Sequence, residues 1–165
     1  IWVTGNIGES SIGLKIAKNK IKLNKLDKKY FLKKYLFPNH CYFGDKINNI
    51  ANSAIDISDG FYGDLQNLLN SKNIGAAIES NLIPFSNKVK NLLKMKLIDL
   101  DFLLSSGDVY ELIFTANSNK SSIIKRLSMK NNVKVTKVGK IISKKGIYLD
   151  NKRIKITNKS FQHFS

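Results

Sequence analysis

The run Ala54-Ile55-Asp56-Ile57-Ser58 passes through Asp59-Gly60 and, with no linker, into an apolar stripe at Phe61, Leu65, Leu68 and Leu69. The first five residues have the length and branching of a buried strand. The i, i+4, i+7, i+8 spacing that follows is one face of a helix. A strand that hands over directly to a helix predicts a domain mixing the two.

The rest of the chain alternates in the same way. Ile1-Trp2-Val3 reads as the end of a strand, Thr4-Gly5-Asn6-Ile7-Gly8 as a turn, and Ser10 to Lys18 as a short helix. Asp27 is placed to cap a second helix through Tyr35 that Pro38 stops, and Lys46 to Ser53 suggests a third. Further strands are expected at Gly75 to Glu79, Tyr110 to Thr115 and Val133 to Ile142, and helices at Asn87 to Met95 and Ser118 to Met129. Asp99 to Asp108 reads as loop, and Ile147 to Ile156 as a hairpin turning at Asp150-Asn151. With no internal repeat or low-complexity linker, the expectation is an α/β (α+β) domain with a single mixed β-sheet and helices mainly on one face.

A length of 165 residues with 42% hydrophobic residues suits one domain with a sizeable core. Every apolar stretch is interrupted well short of the roughly 20 residues a bilayer requires, so no membrane partner is expected. The single cysteine, Cys41, excludes an intramolecular disulfide and a multi-thiolate zinc site, and fits a reducing, cytoplasmic setting. The chain opens at Ile1 with a strand already under way, which predicts a piece of something longer.

The formal net charge is +16. Such an excess fits a basic nucleic-acid-binding module, since lysines beside phosphates release counterions. It equally fits compositional drift: only Arg126 and Arg153 are arginine, and Lys, Asn (19 residues) and Ile are the products of A/T-rich codons. The lysines are also dispersed, which makes no specific nucleic-acid partner the primary expectation.

The 12 acids are scarce, so their grouping is informative. In Asp56-Ile57-Ser58-Asp59-Gly60, residues 56 and 58 of a strand point to one side and Asp59 sits at the turn. Two carboxylates and a hydroxyl at a strand end suit Mg²⁺, which takes its remaining ligands from water and phosphates. Asp59 could instead cap the next helix. A second group, Ser105-Ser106-Gly107-Asp108-Val109-Tyr110-Glu111-Leu112, is a small-residue turn feeding a strand. Asp108, Tyr110 and Glu111 either face a ligand or are a turn acid and half-buried strand residues. The only histidines, His40 and His163, lie near no nucleophile elbow, and no Walker-type loop exists. The Thr4 to Gly8 segment either cradles a phosphate or is a plain strand-to-helix turn.

Taken in order, Val3-Thr4-Gly5-Asn6-Ile7-Gly8, Tyr35-Leu36-Phe37-Pro38, the Asp56 to Gly60 run, Ser106-Gly107-Asp108-Val109-Tyr110-Glu111-Leu112 and Phe161-Gln162-His163-Phe164 resemble the C-terminal half of thiamine-monophosphate kinase. That family is grouped with aminoimidazole ribonucleotide synthetase, whose C-terminal domain the fold is expected to resemble. The resemblance implies that residues 1–165 are the second domain of a two-domain kinase, with an ATP-binding first domain missing and a homodimer in the complete enzyme. It implies Mg²⁺-dependent transfer of the ATP γ-phosphoryl group to thiamine monophosphate, the piece being inactive alone. Asp56 and Asp59 match metal-binding acids, Ser58 a residue contacting ATP, and Glu111 and Phe161 substrate-binding positions; no side chain is expected to act as a general base. Phe161 also reads as a C-terminal aromatic that plugs the core. The pattern departs from the family at Glu9, Ser106, Val109 and Ser160, and in Pro38-Asn39-His40-Cys41. Another member of the same ATP-dependent superfamily is the nearest alternative.

Overall fold

The structure, a computed structural model, describes residues 1–38, 41–70 and 73–154. In chain order the first elements are β1 (Trp2–Thr4), α1 (Glu9–Ala17), α2 (Lys25–Leu36), α3 (Gly44–Ile47), β2 (Ala51–Asp56) and α4 (Phe61–Leu69). Then come β3 (Gly75–Ile78), α5 (Asn87–Lys94), α6 (Leu100–Ser105), β4 (Leu112–Ala116) and α7 (Ser121–Lys130). Four strands close the described chain: β5 (Val135–Lys137), β6 (Gly139–Ile142), β7 (Gly146–Leu149) and β8 (Lys152–Arg153).

The strands make two four-stranded sheets where the sequence suggested one. The first, ordered β2-β4-β1-β5, is antiparallel throughout. The second, ordered β6-β3-β7-β8, is mixed, with β3 and β7 parallel. The expected strand from Val133 to Ile142 is split between them at Val138. Its N–H donates to the Ile1 carbonyl at 3.0 Å, while its own carbonyl accepts the Glu79 N–H at 3.0 Å. Gly139 follows because a Cβ there would lie 2.1 Å from the Ala77 carbonyl oxygen.

Alternation along β1 and β4 explains how the first sheet is covered. Val3 and Ile113 belong to the main core, with Ile12, Phe31, Phe61 and Leu65 from α1, α2 and α4. Their neighbours Trp2 and Phe114 face the other way, stacked with ring centroids 6.3 Å apart, and pack with Phe43, Ile47 and Ile124. Thus α3 and α7 cover the reverse of a sheet whose main helical layer is α1, α2 and α4.

Several local expectations are revised. Asn24, not Asp27, caps α2: its Oδ1 accepts the Asp27 N–H at 2.9 Å and its Nδ2 donates back to the Asp27 carboxylate, which also engages Lys88. The third helix is only Gly44–Ile47, because the chain enters β2 at Ala51, opposite Ala116. Asp99 to Asp108 contains α6, capped by the Asp99 carboxylate on the Phe102 N–H at 2.7 Å. Residues 54–58 are not a buried strand. β2 lies at the sheet edge with half-buried and exposed residues alternating along it.

Candidate functional site

The two motif runs, about fifty residues apart in sequence, are joined backbone to backbone. Ile57 donates to the Glu111 carbonyl at 2.7 Å, and its own carbonyl accepts the N–H groups of Val109 and Tyr110 at 3.1 and 3.0 Å. One residue further, the Ser58 carbonyl accepts the Asp108 N–H at 3.0 Å. The approach is so close that a Cβ on Gly107 would lie 2.0 Å from the Ser58 oxygen. A Cβ on Gly60, itself at φ +106°, would lie 2.7 Å from the Ser105 carbonyl carbon. Asp108 and Tyr110 both take left-handed backbone angles, φ 60° and 55°, to follow this path.

At the resulting tip, Asp56 and Ser58 are exposed, Ile57 between them is fully buried, and Asp59 is half-buried. Gly60, rather than Asp59, occupies the N-cap of α4. Among the described residues, neither Asp56 nor Asp59 enters an ion pair. In a chain of charge +16, neither has a lysine partner among the described residues, and a carboxylate at a strand end is a hard oxygen donor of the kind a divalent cation takes. No group of three or more His, Cys, Asp or Glu side chains among the described residues is arranged to hold a metal by itself.

Sequence reasoning missed Asp64. This residue is 1% exposed, and its Oδ2 accepts the backbone N–H groups of both Ser58 and Asp59 at 2.9 Å. Burial raises its carboxyl above the usual range, the two backbone N–H groups oppose that, and the charges of Asp59 and Asp56 add to the rise. The available signal was an acid on the inward side of α4, between Phe61 and Leu65. Tyr110 belongs to the same tip: its hydroxyl donates to Asp108 at 3.4 Å, and the Asp108 charge is the main cause of its raised pKa.

Glu111 stands apart, in a cleft of about 60 Å³ also lined by Asn6, Glu9, Lys34 and Val109. Its carboxylate accepts from the Thr4 hydroxyl. It lies directly over Gly5, where a Cβ would come within 1.7 Å of Oε1. Burial raises the Glu111 carboxyl, while Thr4, Lys34 and Cys41 oppose the rise. Across the cleft, Glu9 accepts from the Tyr30 hydroxyl at 2.6 Å and pairs with Lys34 at 3.2 Å. The Thr4 to Gly8 segment is the plain turn of the two readings. Its Gly5 and Ile7 N–H groups are already bonded to the Lys134 and Pro84 carbonyls at 2.8 and 2.9 Å. Phe161, the remaining candidate, lies outside the described residues. Within those residues no helix is long and apolar enough to cross a membrane.

No protein-family model matches the chain. It is 37% identical, over 99% of its own length and 52% of the relative's, to the thiamine-monophosphate kinase of Buchnera aphidicola subsp. Schizaphis graminum. The chain therefore spans about half the length of the curated relatives it matches along its whole extent. Among solved structures, it superposes with a TM-score of 0.83 on the thiamine-monophosphate kinase of Stenotrophomonas maltophilia K279a, at 24% identity, covering 93% of this chain and 50% of that one. The AaThiL structure complexed with AMPPCP and TMP gives a TM-score of 0.78 at 22% identity, over 93% and 48% of the two chains. At these identities the structural matches establish the fold.

Proposed function

From the chain's relatedness, end to end, to about half of a thiamine-monophosphate kinase, we propose that it is the C-terminal domain of such an enzyme and supplies one wall of the phosphoryl-transfer site. The reaction is transfer of the ATP γ-phosphoryl group to thiamine monophosphate, giving thiamine diphosphate and ADP. The observation that carries this reading is the backbone junction of residues 57–58 with 108–111, which leaves Asp56 and Asp59 at its tip with no ion pair among the described residues.

The residues suit that chemistry. A phosphate monoester has its second pKa near about 6 and is largely dianionic at neutral pH, so its attacking oxygen needs no base. What the reaction needs is positioning and charge neutralisation between two anions. Asp56 and Asp59 would hold Mg²⁺, and the ion would supply charge neutralisation between the two anionic substrates. Ser58, exposed beside them, would meet the nucleotide. Asp64 fixes the Ser58 and Asp59 backbone from beneath, so the donor atoms need not be ordered when substrate arrives. Glu111 would pair with the cationic thiazolium or with the aminopyrimidine of thiamine monophosphate, and Phe161 would stack on a ring. The ATP-binding first domain, the dimer contact and the cytoplasmic setting belong to the same proposal.

The test is a product assay on the complete enzyme. Thiamine diphosphate and ADP are expected in equal amounts, with Mg²⁺ required; a product formed from unphosphorylated thiamine, or none, overturns the assignment. Residues 1–165 alone are expected to show no turnover, and measurable turnover by them overturns the two-domain reading.

A further inference from the structure

The Glu111 cleft brings together two carboxylates from different elements and a single lysine. Glu9 begins α1 and is 5% exposed, and Glu111 precedes β4 and is half-buried. Lys34, in the last turn of α2, lines the same cleft of about 60 Å³. Its Nζ lies 3.2 Å from Glu9 Oε2, and among the described residues it forms no ion pair with Glu111. It is still close enough to matter there: burial raises the Glu111 carboxyl, and the Lys34 charge is among the causes that oppose the rise. One lysine within reach of two acids is committed to one of them.

The packing shows what commits it. Residues four apart share a helix face, so Glu9 meets two successive turns of α2, Oε1 accepting the Tyr30 hydroxyl at 2.6 Å and Oε2 taking Lys34. The Tyr30 ring adds its face, 5.9 Å from the Lys34 ammonium. The two helices touch backbone to side at Gly13, where a Cβ would lie 2.2 Å from the Phe31 carbonyl oxygen, which sets Glu9 against α2. Lys134, another lysine near the cleft, is also tied: its Nζ donates to Asn6 Oδ1 at 2.6 Å. In a chain of charge +16, a partly buried carboxylate draws any ammonium whose flexible stem can reach it. An ammonium on Glu111 would stand where a cationic ligand has to sit.

We infer that Glu9 is a positioning residue that sets the specificity of this cleft: by engaging Lys34 it keeps that ammonium off Glu111 and reserves the carboxylate for the cationic part of a ligand. That role rests on the reading of Glu111 as a substrate contact and adds what keeps the contact available. Glu9 itself does not touch the ligand, since both of its oxygens are already used. Ligands with a cationic or basic ring gain from the arrangement, and neutral analogues do not.

The experiment is a double-mutant cycle on thiamine monophosphate affinity, measured by calorimetry with the complete enzyme, together with crystal structures of the variants. Glu9→Gln keeps the size of the side chain and an acceptor for Tyr30 but releases Lys34, which is 40% exposed and so is not stranded. It is expected to weaken thiamine monophosphate at least about fivefold, with little change in affinity for a nonhydrolysable ATP analogue. Its structure is expected to show Lys34 Nζ within about 4 Å of the Glu111 carboxylate. Lys34→Met is expected to tighten thiamine monophosphate at least about fivefold more in the Glu9→Gln background than in wild type, because only there does the lysine occupy Glu111. A merely structural Glu9 would lose both ligands together and would not be rescued by removing a second charge. Equal effects of Lys34→Met in the two backgrounds, or a lysine that stays away from Glu111 in Glu9→Gln, overturn the inference. Glu111→Gln tests the underlying reading separately: it should weaken thiamine monophosphate at least about tenfold, and unchanged affinity overturns the substrate role of Glu111 and that of Glu9 with it. Failure of the cycle alone overturns only the role of Glu9.

Discussion

The Asp64 carboxylate reaches back from the first turn of α4 to accept the backbone N–H of Asp59 at 2.9 Å, and the same oxygen accepts that of Ser58. Asp64→Ala removes that shared acceptor and leaves both N–H groups without it. Water reaches the exposed Ser58, so the expected loss is about 1–3 kcal/mol in total rather than per bond. Asp64→Asn keeps an acceptor oxygen and should lose less than half as much. Denaturant unfolding of the three proteins checks this, and equal midpoints for wild type and Asp64→Ala would contradict the bracing role.

Asp59 tests the tip itself. Its half-buried carboxylate makes no ion pair among the described residues, so Asp59→Asn should leave Tm within a few degrees of wild type while lowering kcat of the complete enzyme by on the order of 100-fold. Near-normal turnover at saturating Mg²⁺ would move the metal elsewhere.

Gly107→Ala introduces a methyl group 2.0 Å from the Ser58 carbonyl oxygen, a backbone atom that cannot rotate away. Residues 58 and 107 must separate and the Asp108 to Ser58 hydrogen bond must stretch or break. A loss of about 1–3 kcal/mol is expected, with weaker Mg²⁺ binding in the same variant. A fully stable Gly107→Ala would show that the two runs can part without consequence.

Gly5→Ala places its methyl group against the Glu111 carboxylate at a φ of +57°. KM for thiamine monophosphate should rise by about tenfold or more while KM for ATP changes little, because Glu111 and the Asp59 tip are distinct parts of the site. Parallel increases in both would deny that separation.

Glu111 also gives a pH dependence. Burial is the main cause that raises its carboxyl, with Thr4, Lys34 and Cys41 opposing. A carboxyl with a raised folded pKa holds more protons folded than unfolded. Its contribution to stability is full below the unfolded pKa and is lost as pH rises through the folded value. Glu111→Gln does not titrate there, so the wild-type Tm minus the variant Tm should fall from about pH 4 to pH 7. A cationic ligand favours the ionised form, so wild-type affinity for thiamine monophosphate should rise over the same window with proton release. A flat Tm difference would contradict the burial argument.

Much of this was legible beforehand, and particular residues show where legibility stopped. The stripe Phe61, Leu65, Leu69 located α4 because a buried face imposes its period on the sequence. Asp99 to Asp108 concealed α6, whose six residues are too few to display a period, although Asp99 ahead of Leu100 was a usable cap signal. The split at Val138 escaped notice because residues 133–138 carry no turn residue; only Gly139 marked the crossing. The acids at 56, 59 and 111 could be picked out by composition, but the hydrogen bonds uniting residues 57–58 with 108–111 leave no pattern in the residues they join. Asp64 was overlooked for a related reason: although it falls on the same inward side of α4 as Phe61 and Leu65, an acid on an amphipathic helix reads as solvent-facing until its partners are known.

The glycines at 60 and 107 have an evolutionary consequence. Because main chain rests on main chain beneath them, the shape of the tip does not depend on which side chains project outward at 56, 58 and 59. A scaffold of that kind can exchange its reactive groups for others without being rebuilt, so new chemistries are accessible from it by single replacements.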